Sequence, residues 1–364
     1  MKTITLVSMY YPPDKNGMAV YAQKLYRFLV SHNWEVKLIT RRAFAREKAK
    51  IFQVNTPSIK LNEWKKKQIA RDPRTYSLKF SRGVYNLLTP REKIVHYLTC
   101  WDDYLLLYSA IARGLVGKAR LIVTIGGGGE RCPETLVSYR VRILNKADLI
   151  TVFSKQIKEN LIEIGIPSKK IIFTPPAVDL KKFSFRKARK RKILRVLYLG
   201  RIDKRKGIFD FLKVAELLKS ERFEFCLVGE GLDKTQLKKK IETLKLKNIN
   251  VLKGIEHKDA PRVFQQSDIF LHPTYDDEFP VSLLEALACG LPCVSTPIGE
   301  IPNIIKNNEN GFLVSPGDIK AIKRGLLVLK NFKTRSEFGM KGRKISEVYS
   351  EDKILPRLLK MYRL

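Results

Sequence analysis

The chain has 364 residues, 44% hydrophobic and 10% aromatic, and its 70 lysines and arginines against 36 acids give a formal charge of +34. This composition excludes a disordered chain and allows two domains with full cores. A field of that sign suits an anionic partner: nucleic acid, an anionic lipid surface or an acidic substrate.

No apolar run reaches the roughly 18 residues of a membrane span, and the first residues run into a strand-like segment without a signal-peptide pattern. A cytoplasmic protein is therefore expected. Five cysteines (Cys100, Cys132, Cys226, Cys289 and Cys293) show no paired metal spacing. Several lie in apolar runs and read as reduced core residues.

Thr3 to Met9 reads as a buried strand. After a Tyr-Tyr-Pro-Pro-Asp-Lys-Asn-Gly loop, a helix is predicted from about Met18 to Ser31, and Glu35 to Thr40 closes a βαβ unit. Gly17 either lets that loop approach a phosphate closely or simply turns the chain into the helix. From Arg41 to Arg82 the alternation gives way to a stretch with 13 basic residues and three acids, with Phe44, Phe52, Trp64, Tyr76 and Phe80 interleaved. It reads as an insertion, either solvated or lying on an anionic membrane surface.

Order resumes with a strand at Ile94 to Leu98, a helix from about Asp103 to Leu115 and a strand at Leu121 to Ile125. The last of these ends in Gly126-Gly127-Gly-Gly-Glu130, a loop whose backbone can approach a ligand. Strand, helix and strand at Asp148 to Phe153, Ser154 to Ile164 and Ile171 to Thr174 complete a first domain, taken as 1–185. A linker follows at 186–192, six of whose seven residues are basic.

The second domain, 193–335, repeats the pattern. Strands at Val196 to Gly200, Phe225 to Val228, Asn250 to Leu252, Ile269 to Leu271, Pro292 to Ser295 and Phe312 to Val314 alternate with helices. Such alternation implies parallel sheets covered on both faces, an α/β fold of two Rossmann-like βαβ domains with a cleft between them. Residues 336–364 read as helices that cap the core or cross back to the first domain.

Tyr275 to Gly290 reads as loop then helix at the carboxyl edge of the second sheet, where ligands bind. Backbone N–H groups over Phe279, Pro280, Val281 and Ser282 would meet an anion. Asp277 and Glu285 would face hydroxyl-rich groups such as ribose or sugar. Gly200 to Gly207 follows another strand and places Arg201 and Lys206 at the same edge, where they would neutralise a diphosphate. Gly229, Gly231 and Gly254-Ile255 end neighbouring strands in the region of a nucleobase. Asp102-Asp103 and Asp276-Asp277 are carboxylate pairs, but with Arg201 and Lys206 opposite the phosphates no metal is expected. The four histidines read as core or surface residues.

Taken together these segments resemble the retaining, family-4-type glycosyltransferases of the GT-B fold (glycosyl transferases group 1), over nearly the whole chain and most clearly from Val196 to Gly317. The resemblance implies that Asp277, where glutamate is usual, contacts the donor sugar and Glu285 the ribose. Arg201 and Lys206 fall on the diphosphate clamp. Asn16-Gly17 stands in the place of a Gly-Gly pair, and Gly126 stands where many relatives carry a sugar-contacting histidine, with Glu130 nearby. It further implies a front-face transfer in which the leaving phosphate takes the acceptor proton, so that no separate base or cofactor is needed. The expected donor is a UDP- or GDP-sugar. The expected acceptor is lipid-linked or a cell-envelope polysaccharide, met on the inner face of the membrane as a peripheral protein. A nucleotide-sugar epimerase or a phosphorylase on the same fold is the alternative. Nucleic acid is not expected, since Asp277 and Glu285 in the crevice oppose it.

Overall fold

A computed structural model describes residues 2–14, 16–41, 51–53, 83–89, 91–99, 119–127 and 137–363. Glu130, Asp102-Asp103, Cys100, Cys132, the helix expected at Asp103 to Leu115 and most of the 41–82 stretch lie outside the described residues. The chain forms two units, Met1–Pro175 with Leu358–Leu364, and Pro176–Arg357.

In the first unit the strands are β1 (Lys2–Ser8), β2 (Trp34–Thr40), β3 (Ile51–Gln53), β4 (Ile94–Thr99), β5 (Arg120–Ile125), β6 (Leu149–Val152) and β7 (Ile171–Phe173). Its helices are α1 (Gly17–Ser31), α2 (Val137–Leu144) and α3 (Lys155–Glu163). The sheet is wholly parallel in the order β3-β2-β1-β4-β5-β6-β7. Its strands are continuous apolar runs because a parallel sheet is covered on both faces. Two elements were not expected. β3 lies inside the stretch read as an insertion, where Ile51 and Phe52 pair with Leu38 and Ile39 at the sheet edge. Helix α2 is the other, in a part of the chain to which no element was assigned.

The second unit contains β8 (Leu194–Leu199), β9 (Phe223–Val228), β10 (Ile249–Leu252), β11 (Ile269–His272), β12 (Cys293–Ser295) and β13 (Gly311–Leu313). Helices α4 (Ile208–Leu217), α5 (Lys234–Thr243), α6 (Ala260–Gln265), α7 (Val281–Ala288), α8 (Ile301–Ile304), α9 (Ile319–Val328), α10 (Phe332–Val348) and α11 (Glu351–Arg363) accompany them. The parallel order is β10-β9-β8-β11-β12-β13. The chain builds outward from β8 in one direction, then returns to β11 and builds outward in the other. Loops leaving β8 and β11 therefore diverge at the switch point, which opens a crevice at the carboxyl edge.

The boundary between the units lies earlier in the chain than the expected 185, because the segment after Pro176 is tied to the second unit. Phe183 is fully buried against Phe264 and His257. Arg186 donates to the carbonyls of Gln265 and Ser267, and the buried Arg335 donates to the carbonyl of Arg189 at 2.8 Å. The linker expected at 186–192 thus packs on the second unit. Most of the 336–364 stretch does so too, since Gly339 lies against the backbone of Gly290 and Gly342 against Leu287. The last residues belong to the first unit.

That return is fixed by a buried polar chain. Tyr362 Oη lies 2.6 Å from His96 Nδ1, His96 Nε2 lies 2.6 Å from Thr124 Oγ1, and Thr124 Oγ1 lies 2.6 Å from Thr151 Oγ1. Trp34 packs on the Tyr362 ring. Burial pulls the His96 pKa from 6.5 down to about 3, so the folded protein holds a neutral imidazole. The stability this contributes is complete above pH 6.5 and is lost as pH falls toward 3, because the unfolded chain takes up the proton first. We expect a loss of about 2 kcal/mol by pH 5 from this group. Denaturant unfolding of His96→Gln should show a flatter acid limb than wild type; equal limbs would rule out His96 as the source.

Candidate functional site

The loops leaving β8 and β11 are joined at the carboxyl edge of the second unit. Tyr275 N donates to Arg205 O at 2.8 Å, and Arg205 Nη1 lies 3.2 Å from Asp276 Oδ2. Gly207, with φ of +72°, has no room for a β-carbon because the Pro273 carbonyl occupies its place. Glycine is required there for both the left-handed backbone and the close approach.

Lys206 and Asp277 meet in this contact. Lys206 Nζ lies 2.9 Å from Asp277 Oδ2 and also donates to the Asp276 carbonyl. His272, the last residue of β11 and buried, places Nε2 3.1 Å from the same Oδ2 and is sandwiched between Tyr198 and Phe270. Burial pushes the Asp277 pKa up, but Lys206 and the His272 hydrogen bond outweigh it and hold the carboxyl below the usual carboxylate range. Asp277 is thus an anion with one oxygen committed to the protein.

Arg201 is placed differently. Its side chain is 57% exposed and its one ion pair among the described residues, to Asp203, is 3.7 Å long. Asp203 is bound more closely by Arg205, at 3.0 Å. Arg201 is therefore weakly engaged at the switch point, whereas Lys206 is neutralised by Asp277.

Glu285 belongs to another cluster. It is 3% exposed on α7, and its Oε1 lies 2.6 Å from His257 Nε2, whose Nδ1 lies 2.9 Å from Lys182 Nζ. The two acids expected to share one crevice thus have separate sets of partners. His257 and His272 were read as core or surface residues; each instead holds one of these acids. A position at the end of β11, five residues before Asp277, was the available signal for His272. His257 gave none, because its contact needs the fold.

Helix α7 begins with Pro280 at its N-cap and no side-chain cap. The expected row of donors is shorter than read from sequence, because Pro280 has no N–H. Phe279 precedes the cap, with its ring buried against Tyr349, and Leu283 N already donates to Pro280 O at 3.1 Å, which leaves Val281 and Ser282 as the first-turn donors. Gly299, at φ of +53°, lies against the carbonyls of Asp277 and Glu278 and braces the same loop, and Glu300 N donates to Glu278 O at 2.9 Å.

Gly229 and Gly231 pack on the backbone of Gly200 and Ile202, so they are needed for loop closure beside the site. Ile255 is half-buried next to Gly254, whose N–H donates to Glu230 Oε1 at 3.0 Å. Asp276 and Asp277 are each paired with a cation of the β8 loop. Cys226, Cys289 and Cys293 are free and buried, and burial raises the Cys289 thiol to about 12.

In the first unit Gly17 opens α1, where Asn16 Oδ1 caps Ala19 N at 2.8 Å, and nothing crowds a β-carbon at Gly17. At Gly126 a β-carbon would meet Met18 and the Phe153 ring, which accounts for a glycine there in place of a larger residue. Gly127 has φ of +141°. Gly126 and the start of α1 are thus neighbours at the carboxyl edge of that sheet.

Two family matches divide the chain between them: Glycosyltransferase Family 4 over residues 15–182 and Glycosyl transferases group 1 over residues 179–345. The chain belongs to the family-4-type glycosyltransferases. Among curated relatives, an amylovoran biosynthesis glycosyltransferase of Erwinia amylovora is 30% identical over 52% of this chain and 49% of its own length. A putative colanic acid biosynthesis glycosyltransferase of Escherichia coli is 25% identical over 53% of this chain and 50% of its own. The chain spans about half the length of these curated relatives. An uncharacterized glycosyltransferase of Methanocaldococcus jannaschii is 24% identical over 93% of both chains. In fold, the chain is similar to sucrose-phosphate synthase of Thermosynechococcus elongatus (TM-score 0.83, 19% identity, 100% and 98% of the two chains covered). It is also similar to Anabaena HepE in complex with UDP-glucose (TM-score 0.79, 14% identity, 99% of each chain covered). The fold is therefore GT-B.

The different engagement of the two cations gives a testable contrast within this family member. Lys206→Met strands a mostly buried carboxylate and should cost about 2–3 kcal/mol in urea unfolding of the second unit. Arg201→Ala should stay within about 0.5 kcal/mol of wild type, as surface substitutions do. Equal losses for the two would contradict the assignment of Lys206 to Asp277.

Proposed function

We propose that the chain transfers a sugar from a nucleotide diphosphate donor, with retention, to a lipid-linked or cell-envelope glycan acceptor. The observation that carries this reading is the arrangement at the β8/β11 switch point. A weakly engaged Arg201, an ionised Asp277 and an uncapped helix start lie on the two adjoining loops there. Arg201 and the Val281 and Ser282 N–H groups take the diphosphate, whose developing charge they stabilise without reorganisation. Lys206 contributes through its contact with Asp277 and moderates that acid's repulsion of the phosphates.

Asp277 Oδ2 is occupied by Lys206 and His272, so Oδ1 is the oxygen assigned to a donor-sugar hydroxyl. Glu285 Oε1 is held by His257, and Oε2 is assigned to ribose. The leaving phosphate takes the acceptor proton, which removes the need for a dedicated base. Charge on the diphosphate is met by side chains and backbone in this reading, without a metal ion. UDP is the first nucleotide to try, because fold neighbours have been crystallised with UDP and UDP-glucose. Relatives named for amylovoran and colanic acid biosynthesis support a polysaccharide acceptor. Among the described residues no helix is long and apolar enough to cross a membrane. The charge of +34 and the basic, aromatic 41–82 stretch support a peripheral protein on the cytoplasmic face.

Thermal shift with UDP, GDP, ADP and their sugar conjugates tests the donor site. One nucleotide should stabilise the protein, Arg201→Ala should weaken that binding by about tenfold or more, and Glu285→Ala should do likewise. No shift with any nucleotide would sink the reading. An inverted anomeric configuration in the product would sink retention alone.

A further inference from the structure

The opposite edge of the second sheet carries a second charged feature, away from the switch point. A groove of about 620 Å³ is lined by Lys190, Arg191, Lys192, Leu194, Ser220, Glu221, Arg222 and Lys330. Leu194 starts β8 and Arg222 immediately precedes β9, with Leu194 N donating to Arg222 O at 3.0 Å, so the floor of the groove is the amino edge of the sheet. The length of β8 puts it about 20 Å from the carboxyl-edge site.

Five cations face one acid in this groove, and that acid is already taken, since Glu221 Oε2 lies 2.7 Å from Lys330 Nζ. Arg191 is held 3.6 Å from the buried Asp268 and is 3.4 Å from the Gln266 carbonyl, which pins the polybasic segment along the edge. Among the described residues no carboxylate lies within ion-pair distance of Lys190, Lys192 or Arg222, and all three are exposed. Holding like charges this close without counter-ions is unfavourable in the isolated protein and becomes favourable against an anionic surface.

Two features choose among anions. The cations come from three separate segments, 190–192, Arg222 and Lys330, and stay exposed, instead of converging on a single oxyanion as a buried phosphate site does. Large apolar side chains border them: Ile193 is 57% exposed beside Lys192, and Phe332 is 37% exposed under the Lys190 ammonium, 5.5 Å from its ring centroid. Basic groups interspersed with exposed apolar ones match a lipid interface, where headgroup phosphates and the acyl boundary are presented together.

We propose that this amino edge is a docking surface for the phosphate headgroups of an anionic bilayer. It deepens the peripheral-membrane part of the proposed function by naming a surface in the second unit for it, and its failure would leave the donor site untouched. The full chain is sedimented with vesicles of phosphatidylcholine alone or with 30% phosphatidylglycerol. Wild type is compared with Lys190→Glu/Lys192→Glu/Arg222→Glu and with the charge-matched Lys238→Glu/Lys239→Glu/Lys240→Glu, whose changes lie on exposed positions of α5. Wild type should bind the anionic vesicles only, and the groove variant should lose about a hundredfold or more in partition, since three charges of about 1 kcal/mol each are removed. The charge-matched variant should lose clearly less, and all three should keep the same melting temperature. Equal losses in the two variants would show a non-specific effect of net charge and overturn the proposal. Undiminished binding by the groove variant would overturn it too. So would tight binding of soluble polyphosphate without partition onto vesicles.

Discussion

A mostly buried carboxylate has to be matched by a cation and by hydrogen-bonding groups, and the organisation of the second unit's carboxyl edge follows from that requirement. Asp277 is matched by Lys206, from the loop of the neighbouring strand, and by His272, from the end of its own strand. These contacts join the two loops that the strand order would otherwise let diverge. Gly207 against Pro273 and Gly299 against Asp277 and Glu278 are the close approaches this joining demands. Loss of a side chain at those glycines is what allows the charges to meet.

The join also sorts the cations by role. Lys206 is spent largely on Asp277, while Arg201 stays exposed with a long ion pair to Asp203. A site that receives a diphosphate, as proposed, gains from this division. One cation keeps the acid ionised and fixed in position, and another retains the freedom to turn toward an incoming anion. Glu285 and His257 form their own pair along α7, so the two acids contribute through separate, independently positioned groups.

Charge is distributed in the same unit with a clear polarity. At the carboxyl edge the basic residues are interleaved with Asp203, Asp276, Asp277, Glu285 and Glu300. At the amino edge Lys190, Lys192 and Arg222 have no such partners among the described residues. The net charge of +34 is therefore not a uniform coat. At the carboxyl edge the loop cations are paired with carboxylates, whereas Lys190, Lys192 and Arg222 at the amino edge have none within ion-pair distance among the described residues.

Alternating apolar runs and helical periodicity carried the two parallel sheets, most strand positions and the residues of both acidic and basic loops, because each of those is a local property of the chain. The same local logic missed β3, whose three residues become a strand only by pairing with β2, and it placed the boundary between the units too late, because Phe183 and Arg186 declare their allegiance only through Phe264 and Gln265. It listed Asp277 and Glu285 without their histidines, since His257 reaches Glu285 from a different strand's loop. The sequence by itself determined which residue types stand at the carboxyl edges. Only the tertiary structure decided which of them are spent on one another and which stay available, because ion pairing depends on distances between loops that strand order, and not chain order, brings together.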